Sequence, residues 1–155
     1  MKKTLAIVMM AAAALLSTAG DAIAQSSRAN LEEAKALVHK AREYIRKNGQ
    51  EKAFVEINKR DGMFVDRDMY IYVYDKNLKN LAHGGNSKLI GKELGELRDP
   101  DGKYVNRGLL EAAQKGGGTY TFKFFNPASG KIEEKIGYAE MEGDVMVGSG
   151  VYKAN

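Results

Sequence analysis

Apolar residues fall at helical spacing in the first third of the chain and at alternate positions through most of the rest. From Asn30, the residues Leu31, Ala34, Leu37, Val38, Ala41, Tyr44 and Ile45 recur every three or four positions, the signature of one helical face. Asn30 with Glu33 has the form of a capping box, and Asn48-Gly49 is a common helix ending. Residues 51–58 predict a second helix with Ala53, Phe54 and Ile57 turned inward. After a turn at Arg60-Asp61-Gly62 the period changes to two. Met69-Tyr70-Ile71-Tyr72-Val73-Tyr74 predicts a strand with three tyrosines on one face and Met69, Ile71 and Val73 on the other. Neither face is charged, so this strand is expected to be covered on both sides.

Asp75-Lys76-Asn77 then turns the chain into a second strand, 78–83. Residues 84–103 read as loops with a short helix near 89–94 and a turn at Asp99-Pro100-Asp101-Gly102. A helix over about 106–115 follows, with Leu109, Leu110 and Ala113 as its buried stripe and Gly116 as its stop. Three strands close the chain at 119–125, 131–140 and 145–152, joined by Asn126-Pro127-Ala128-Ser129-Gly130 and Glu142-Gly143-Asp144. Strands joined by short turns pair antiparallel. The expected class is therefore α+β: one five-stranded antiparallel sheet with helices packed on it, undivided by any repeat or linker.

The amino terminus has a different character. Lys2 and Lys3 are followed by an apolar run over 5–16 and by Ala22-Ile23-Ala24, the order of a cleavable secretory signal. The run is shorter than the roughly 20 apolar residues that span a bilayer, so cleavage after Ala24 is expected, leaving 25–155 as one periplasmic domain without stable membrane insertion. Cleavage would change the net charge from +4 to +3 by removing Lys2, Lys3 and Asp21. Charges of both signs alternate, as at Glu32, Glu33 and Lys35 or Glu133, Glu134 and Lys135, which reads as an ordinary solvated surface rather than the one-sign patch of a nucleic-acid binder. Cysteine is absent, which excludes disulfides, thiolate metal sites and thiol nucleophiles.

Few enzyme signatures survive inspection. Gly148-Ser149-Gly150 lacks the spacing of a nucleophile elbow, and Gly116-Gly117-Gly118 lacks the ending of a phosphate loop. Asp99 and Asp101 have calcium-loop spacing without the closing acids. His39 and His83 stand apart, with no acid cluster near either in sequence. No cofactor or metal is expected. The positive signal is aromatic: Tyr70, Tyr72 and Tyr74 form one stripe and Tyr120, Phe122 and Phe124 another, with Lys135 and Tyr138 on the next strand. Aromatic stripes in a sheet are more often core than binding site. Three tyrosines favour a pocket, because phenylalanine would fill a dry core without hydroxyls to satisfy. A pocket walled by such rings and holding one lysine suits a small carboxylate or similar metabolite.

At this point the residues resemble a known family. Tyr70-Ile71-Tyr72-Val73-Tyr74-Asp75, Leu81-Ala82-His83 and Leu89-Ile90-Gly91-Lys92 look like the opening of a single Cache domain, an extracytoplasmic sensor module related to PAS folds. Asp99 with Asp101-Gly102-Lys103, Lys115-Gly116-Gly117-Gly118, Asn126-Pro127, Lys135-Ile136-Gly137-Tyr138 and Gly148-Ser149-Gly150-Val151-Tyr152 continue it in order. The resemblance implies a PAS-like sheet with a pocket for small organic acids, amino acids or similar metabolites. By position it implies Tyr70, Tyr72, His83, Phe124, Lys135 and Tyr138 on or near that pocket. Alternation puts Lys135 and Tyr138 on opposite faces, so either a bulge reconciles them or only one reaches the ligand. Three departures stand out: Gly84 where the family often has proline after the histidine, Phe124 where it has tryptophan, and Asp144-Val145-Met146 where its last strand begins with tryptophan. The loss of two large rings is expected to reshape or enlarge the pocket.

The expected function is a periplasmic small-molecule sensor that signals through a separate receptor, kinase or transporter, since the only hydrophobic segment is expected to be removed. The alternative is an adaptor that keeps the fold and binds a protein partner without a ligand. An enzyme is not expected, for want of a nucleophile, base and orienter.

Overall fold

The computed structural model describes residues 28–153. The expected signal segment, 1–24, lies outside them. Helix α1 (Leu31–Asn48) begins with the capping box its sequence prescribes: Glu33 N donates to Asn30 Oδ1 at 3.0 Å, and Asn30 N donates to Glu33 Oε2 at 2.7 Å. Gly49, at φ 80°, ends α1 and opens α2 (Gln50–Ile57). The stripe Ala34, Leu37, Val38, Ala41 and Ile45 is buried against Met69, Ile71 and Val73 and against Val145, Val147 and Val151.

Five strands form the expected antiparallel sheet: β3 (Tyr72–Asp75), β4 (Asn80–His83), β5 (Gly118–Asn126), β6 (Lys131–Glu142) and β7 (Val145–Tyr152). Their order is β4-β3-β7-β6-β5, so the last strand is central, and every residue of β7 is buried. Helices α1 and α2 cover one face. On the other, α3 (Val105–Gln114) lays Val105, Leu109 and Ala113 on Tyr70, Tyr72, Tyr74, Phe122 and Met146. The uncharged strand at 69–74 is covered on both sides, as its pattern requires.

That strand is not continuous. Met69–Tyr70 is a separate short strand, β2, paired with β1 (Val65–Asp66) in a hairpin with Arg67 at φ 54°. The chain changes partners at Ile71, whose N–H donates to Phe64 O at 3.2 Å while its carbonyl accepts from Gly84 N at 2.9 Å. Alternation survives the break, so the tyrosines stay on one face.

The helix expected near 89–94 is absent. One 3-10 turn, Ser87–Leu89, takes its place, because the backbone beyond it bonds sideways: Gly91 N to Asn80 O, Asn80 N to Lys92 O and Leu94 N to Leu78 O, at 2.8–2.9 Å. The second strand also starts later than its pattern suggests, since Leu78 adopts φ 62° in the turn before β4. Asp99 is a structural clasp. Its Oδ1 accepts from Asp101 N and Lys103 N, and its Oδ2 accepts from Lys123 N at 3.0 Å, covering part of the free edge of β5.

Candidate functional site

Lys135 is the centre of the site. It lies on β6 between Phe122 of β5 and Tyr152 of β7 in register, and only 1% of its surface is exposed. Its Nζ sits 4.0 Å from the centroid of Tyr70, 4.6 Å from Tyr152, 5.7 Å from Tyr72 and 5.9 Å from Phe124. This is an aromatic cage around an ammonium. Its one hydrogen bond is to Tyr152 Oη at 3.4 Å, and no salt bridge reaches it among the described residues. Burial drives the ammonium down to about 7, while the charge of Asp68 pulls the other way. Asp68 accepts from Ala29 N at 3.1 Å through Oδ1, and its buried Oδ2 has no hydrogen-bond partner among the described residues.

The triplet Gly148-Ser149-Gly150 builds the floor of the cage. A Cβ at Gly148 would stand 2.2 Å from the ring of Tyr72, and one at Gly150 would stand 2.9 Å from Lys135 Cε. Only glycine lets the Tyr72 ring and the lysine stem lie directly on the central strand. Ser149 points away from any nucleophilic role: its Oγ donates to Tyr70 O and its carbonyl accepts from Tyr72 Oη, both at 2.9 Å. The Tyr70 and Tyr152 hydroxyls lie 3.2 Å apart, and Tyr152 Oη donates to Phe125 O at 2.7 Å. Burial pushes the Tyr70, Tyr72 and Tyr152 phenols above their ordinary range.

His83 closes one side, 5.0 Å from the Tyr70 ring and 6.1 Å from Tyr72. Its Nδ1 accepts from Gly85 N at 3.2 Å and Asn86 N at 2.9 Å, which assigns the proton to Nε2. Burial, then the charge of Lys135, lowers its pKa to about 3, so the ring is neutral. Gly84 replaces the family's proline for a visible reason: its N–H makes the bond to Ile71 O, which proline cannot.

Five of the six residues expected at the pocket meet here: Tyr70, Tyr72, His83, Phe124 and Lys135 line one cavity with Tyr74, Val105, Asn106, Leu109 and Phe122. Tyr138 does not. β6 pairs with both neighbours without a bulge between 135 and 138, so alternation sends Tyr138 to the face covered by α1 and α2. There its hydroxyl donates to Glu140 Oε1 at 2.5 Å. The pocket, expected to be reshaped or enlarged, is tight immediately around the lysine. The cavity encloses about 10 Å³, room for about one water, because the lysine and its four rings occupy the space themselves.

Two further corrections concern charge. Glu133 and Lys135 belong to no solvated surface: both are buried, and Glu133 accepts from Asn126 Nδ2 at 2.8 Å and Arg28 Nη1 at 3.1 Å. His39 is not isolated, since its Nε2 lies 2.6 Å from Glu140 Oε1. Arg42 joins Glu140 and Glu142, and Arg46 joins Glu142, so a row of ion pairs ties α1 to β6. Roughly a hundred residues of intervening sequence hid these partners.

The model of the single Cache domain 2 family matches residues 3–155. The chain belongs to this family. The Cache domain is 34% identical over 88 residues to the sensor histidine kinase MctS of Rhizobium johnstonii, covering 56% of this chain and 19% of that protein. It is 31% identical over 88 residues to the methyl-accepting chemotaxis protein CtpM of Pseudomonas aeruginosa, covering 55% and 16%. The chain thus spans less than a fifth of these relatives. Among solved structures, a methyl-accepting chemotaxis protein of Vibrio parahaemolyticus superposes with a TM-score of 0.70 at 27% identity, over 86% of this chain and 92% of that one. A Cache chemosensory domain described for carboxylic acid recognition gives 0.66 at 23%, over 89% and 100%, a likeness of fold. The family is one of sensor domains carried by chemoreceptors and sensor kinases. No helix among the described residues is long and apolar enough to cross a membrane.

Proposed function

We propose that residues 1–24 are a secretion signal cleaved after Ala24 and that residues 25–155 act in the periplasm as a non-enzymatic sensor module. In this reading the domain binds a small organic carboxylate at Lys135 and reports its presence to a separate receptor, kinase or transporter subunit. The observation that carries it is a fully buried lysine in an aromatic cage with no salt bridge to a carboxylate among the described residues. A buried ammonium lacking a counterion is costly, and an incoming carboxylate would supply one. The Nε2–H of His83 would orient it as a neutral donor, the Tyr152 hydroxyl being committed to Phe125 O. Recognition of carboxylic acids by a Cache domain of the same fold supports the ligand class.

The route outward would run through the sheet. Tyr72 and Tyr70 are bonded to the backbone and side chain of Ser149 on β7, and α1 packs across β6 and β7 on the opposite face, pinned through Glu140 and Glu142. A change in the cage would thus reach α1, the element a partner would read. Calorimetric titration of the secreted protein with acetate, propionate, amino acids and amines tests the reading. Carboxylate binding that Lys135→Met abolishes is expected, and a carboxylate bound equally well by Lys135→Met refutes the site.

The small free volume at the cage, about 10 Å³, favours the second reading, a ligand-free adaptor. In that case no small molecule in the screen would bind, and crosslinking in cells would still capture a membrane protein through α1.

A further inference from the structure

The cage has an antechamber. Tyr70, His83 and Phe124, which wall the lysine on one side, also wall a second space of about 460 Å³. This volume lies within the roughly 300–1,000 Å³ of small-ligand sites. Its remaining walls are largely apolar: Leu89, Leu94 and Leu97 from the irregular segment, with Phe125 and Pro127 at the end of β5. These leucines are only half-buried, and Phe125 is 51% exposed, one of few large apolar side chains left in water. Two charged residues complete the lining, Arg60 and Lys88. Both are cations and both are exposed, and no acid among the described residues lines the chamber.

An apolar wall with a rim of one sign selects for a molecule that is apolar at one end and carries the opposite charge at the other. We propose that the outer chamber is a binding subsite for an amphipathic organic anion. Its hydrocarbon chain or ring packs against Leu89, Leu94, Leu97 and Phe125, and its anionic group lies at Arg60 and Lys88. The subsite is distinct from the Lys135 cage, whose free volume is only about 10 Å³, and does not depend on a ligand binding there.

The test is calorimetric titration with acetate, butyrate, hexanoate and octanoate, all below their aggregation concentrations, with octylamine as the cationic control. Each added methylene buried against the leucines tightens binding about three- to fourfold, so octanoate is expected to bind and octylamine is not. The double variant Arg60→Glu, Lys88→Glu changes two exposed side chains. It is expected to weaken octanoate at least tenfold at an unchanged Tm, and Leu97→Asp to reduce the chain-length dependence. Lys135→Met should retain octanoate binding. A chain-length series that stays flat, octylamine binding as tightly as octanoate, or a double variant that binds like the wild type would overturn the proposal. Octanoate lost in Lys135→Met would also overturn it, by placing the carboxylate inside the cage. Failure of the Lys135 reading looks different: acetate and propionate binding that is absent or indifferent to Lys135→Met, with the octanoate series intact.

Discussion

Lys135→Met should stabilise the protein while destroying its proposed site. Methionine nearly matches the lysine in length, carries no charge and packs well against aromatic edges. Burial brings the ammonium from its ordinary 10.5 to about 7. Each tenfold loss of proton affinity is worth about 1.4 kcal/mol, so at pH 7 folding gives up about 4–5 kcal/mol on this residue. Cation–π contact with Tyr70 and Tyr152 returns about 2 kcal/mol. The net expectation for Lys135→Met is a gain of about 2–3 kcal/mol, a rise in Tm of about 10 °C for a domain of this size.

The pH profile is the sharper readout. A lysine whose folded pKa is depressed leaves the unfolded chain holding more protons between 7 and 10.5, so stability rises with pH across that window and falls as pH drops toward 7. Urea unfolding at pH 7, 8 and 9 should show the wild type gaining about 2 kcal/mol relative to Lys135→Met. The series stops at pH 9 because unfolded tyrosines ionise near 10 while buried Tyr70 and Tyr72 resist, which removes stability as pH rises further. Parallel profiles for the two proteins, or a destabilised Lys135→Met, would refute the description of Lys135 as a lysine whose desolvation outweighs the charge of Asp68.

Three further outcomes are expected. Gly148→Ala forces a methyl into the Tyr72 ring, where 2.2 Å is available; it should cost about 1–3 kcal/mol and alter the near-ultraviolet circular dichroism of the tyrosines. His83 is neutral until about pH 3 in the fold against 6.5 unfolded, so the stability it contributes above pH 6.5 is lost as pH falls through that interval, and His83→Gln should flatten the decline between pH 6.5 and 5 in denaturant titrations. In Asp99, burial raises the carboxyl pKa but the amides of Lys123, Lys103 and Asp101 outweigh it; Asp99→Ala should release the Lys123 amide, seen as faster hydrogen exchange along the outer edge of β5.

Much of this was visible in the chain because it is local. The capping box at Asn30, the helical stripe from Leu31 to Ile45 and the alternation that separates Lys135 from Tyr138 each depend on residues a few positions apart. What escaped is non-local. Ile71 exchanges strand partners because Phe64 and Gly84 compete for its backbone, and residues 90–94 bond to the approach of β4 instead of coiling on themselves. The run Glu133-Glu134-Lys135 looks like surface by composition, yet strand geometry sends its first and third members to the buried face and only Glu134 outward. Pocket size was equally out of reach, since the room beside Tyr70 and Tyr152 is set by how a lysine stem from β6 lies over Gly150 of β7, a contact between separate strands.

Lys135 therefore poses a question that packing alone does not answer. A core that merely needed volume at this position would be better served by leucine or methionine, and a lysine that needed only charge balance would sit beside Glu133, which shares its face of β6. Instead Glu133 is committed to Arg28 and Asn126. The tyrosine hydroxyls that surround Lys135 are turned to backbone carbonyls and to each other. Among the described residues, every neighbour that could neutralise the ammonium is occupied or neutral, except Asp68, whose Oδ2 makes no hydrogen bond to them. A site that keeps a lysine dry, with only the charge of Asp68 to favour its ammonium, gains the most from an anion that arrives later, because the desolvation has already been done in folding. On this account the instability at Lys135 and its affinity for a carboxylate are the same free energy, and any substitution that relieves one should abolish the other.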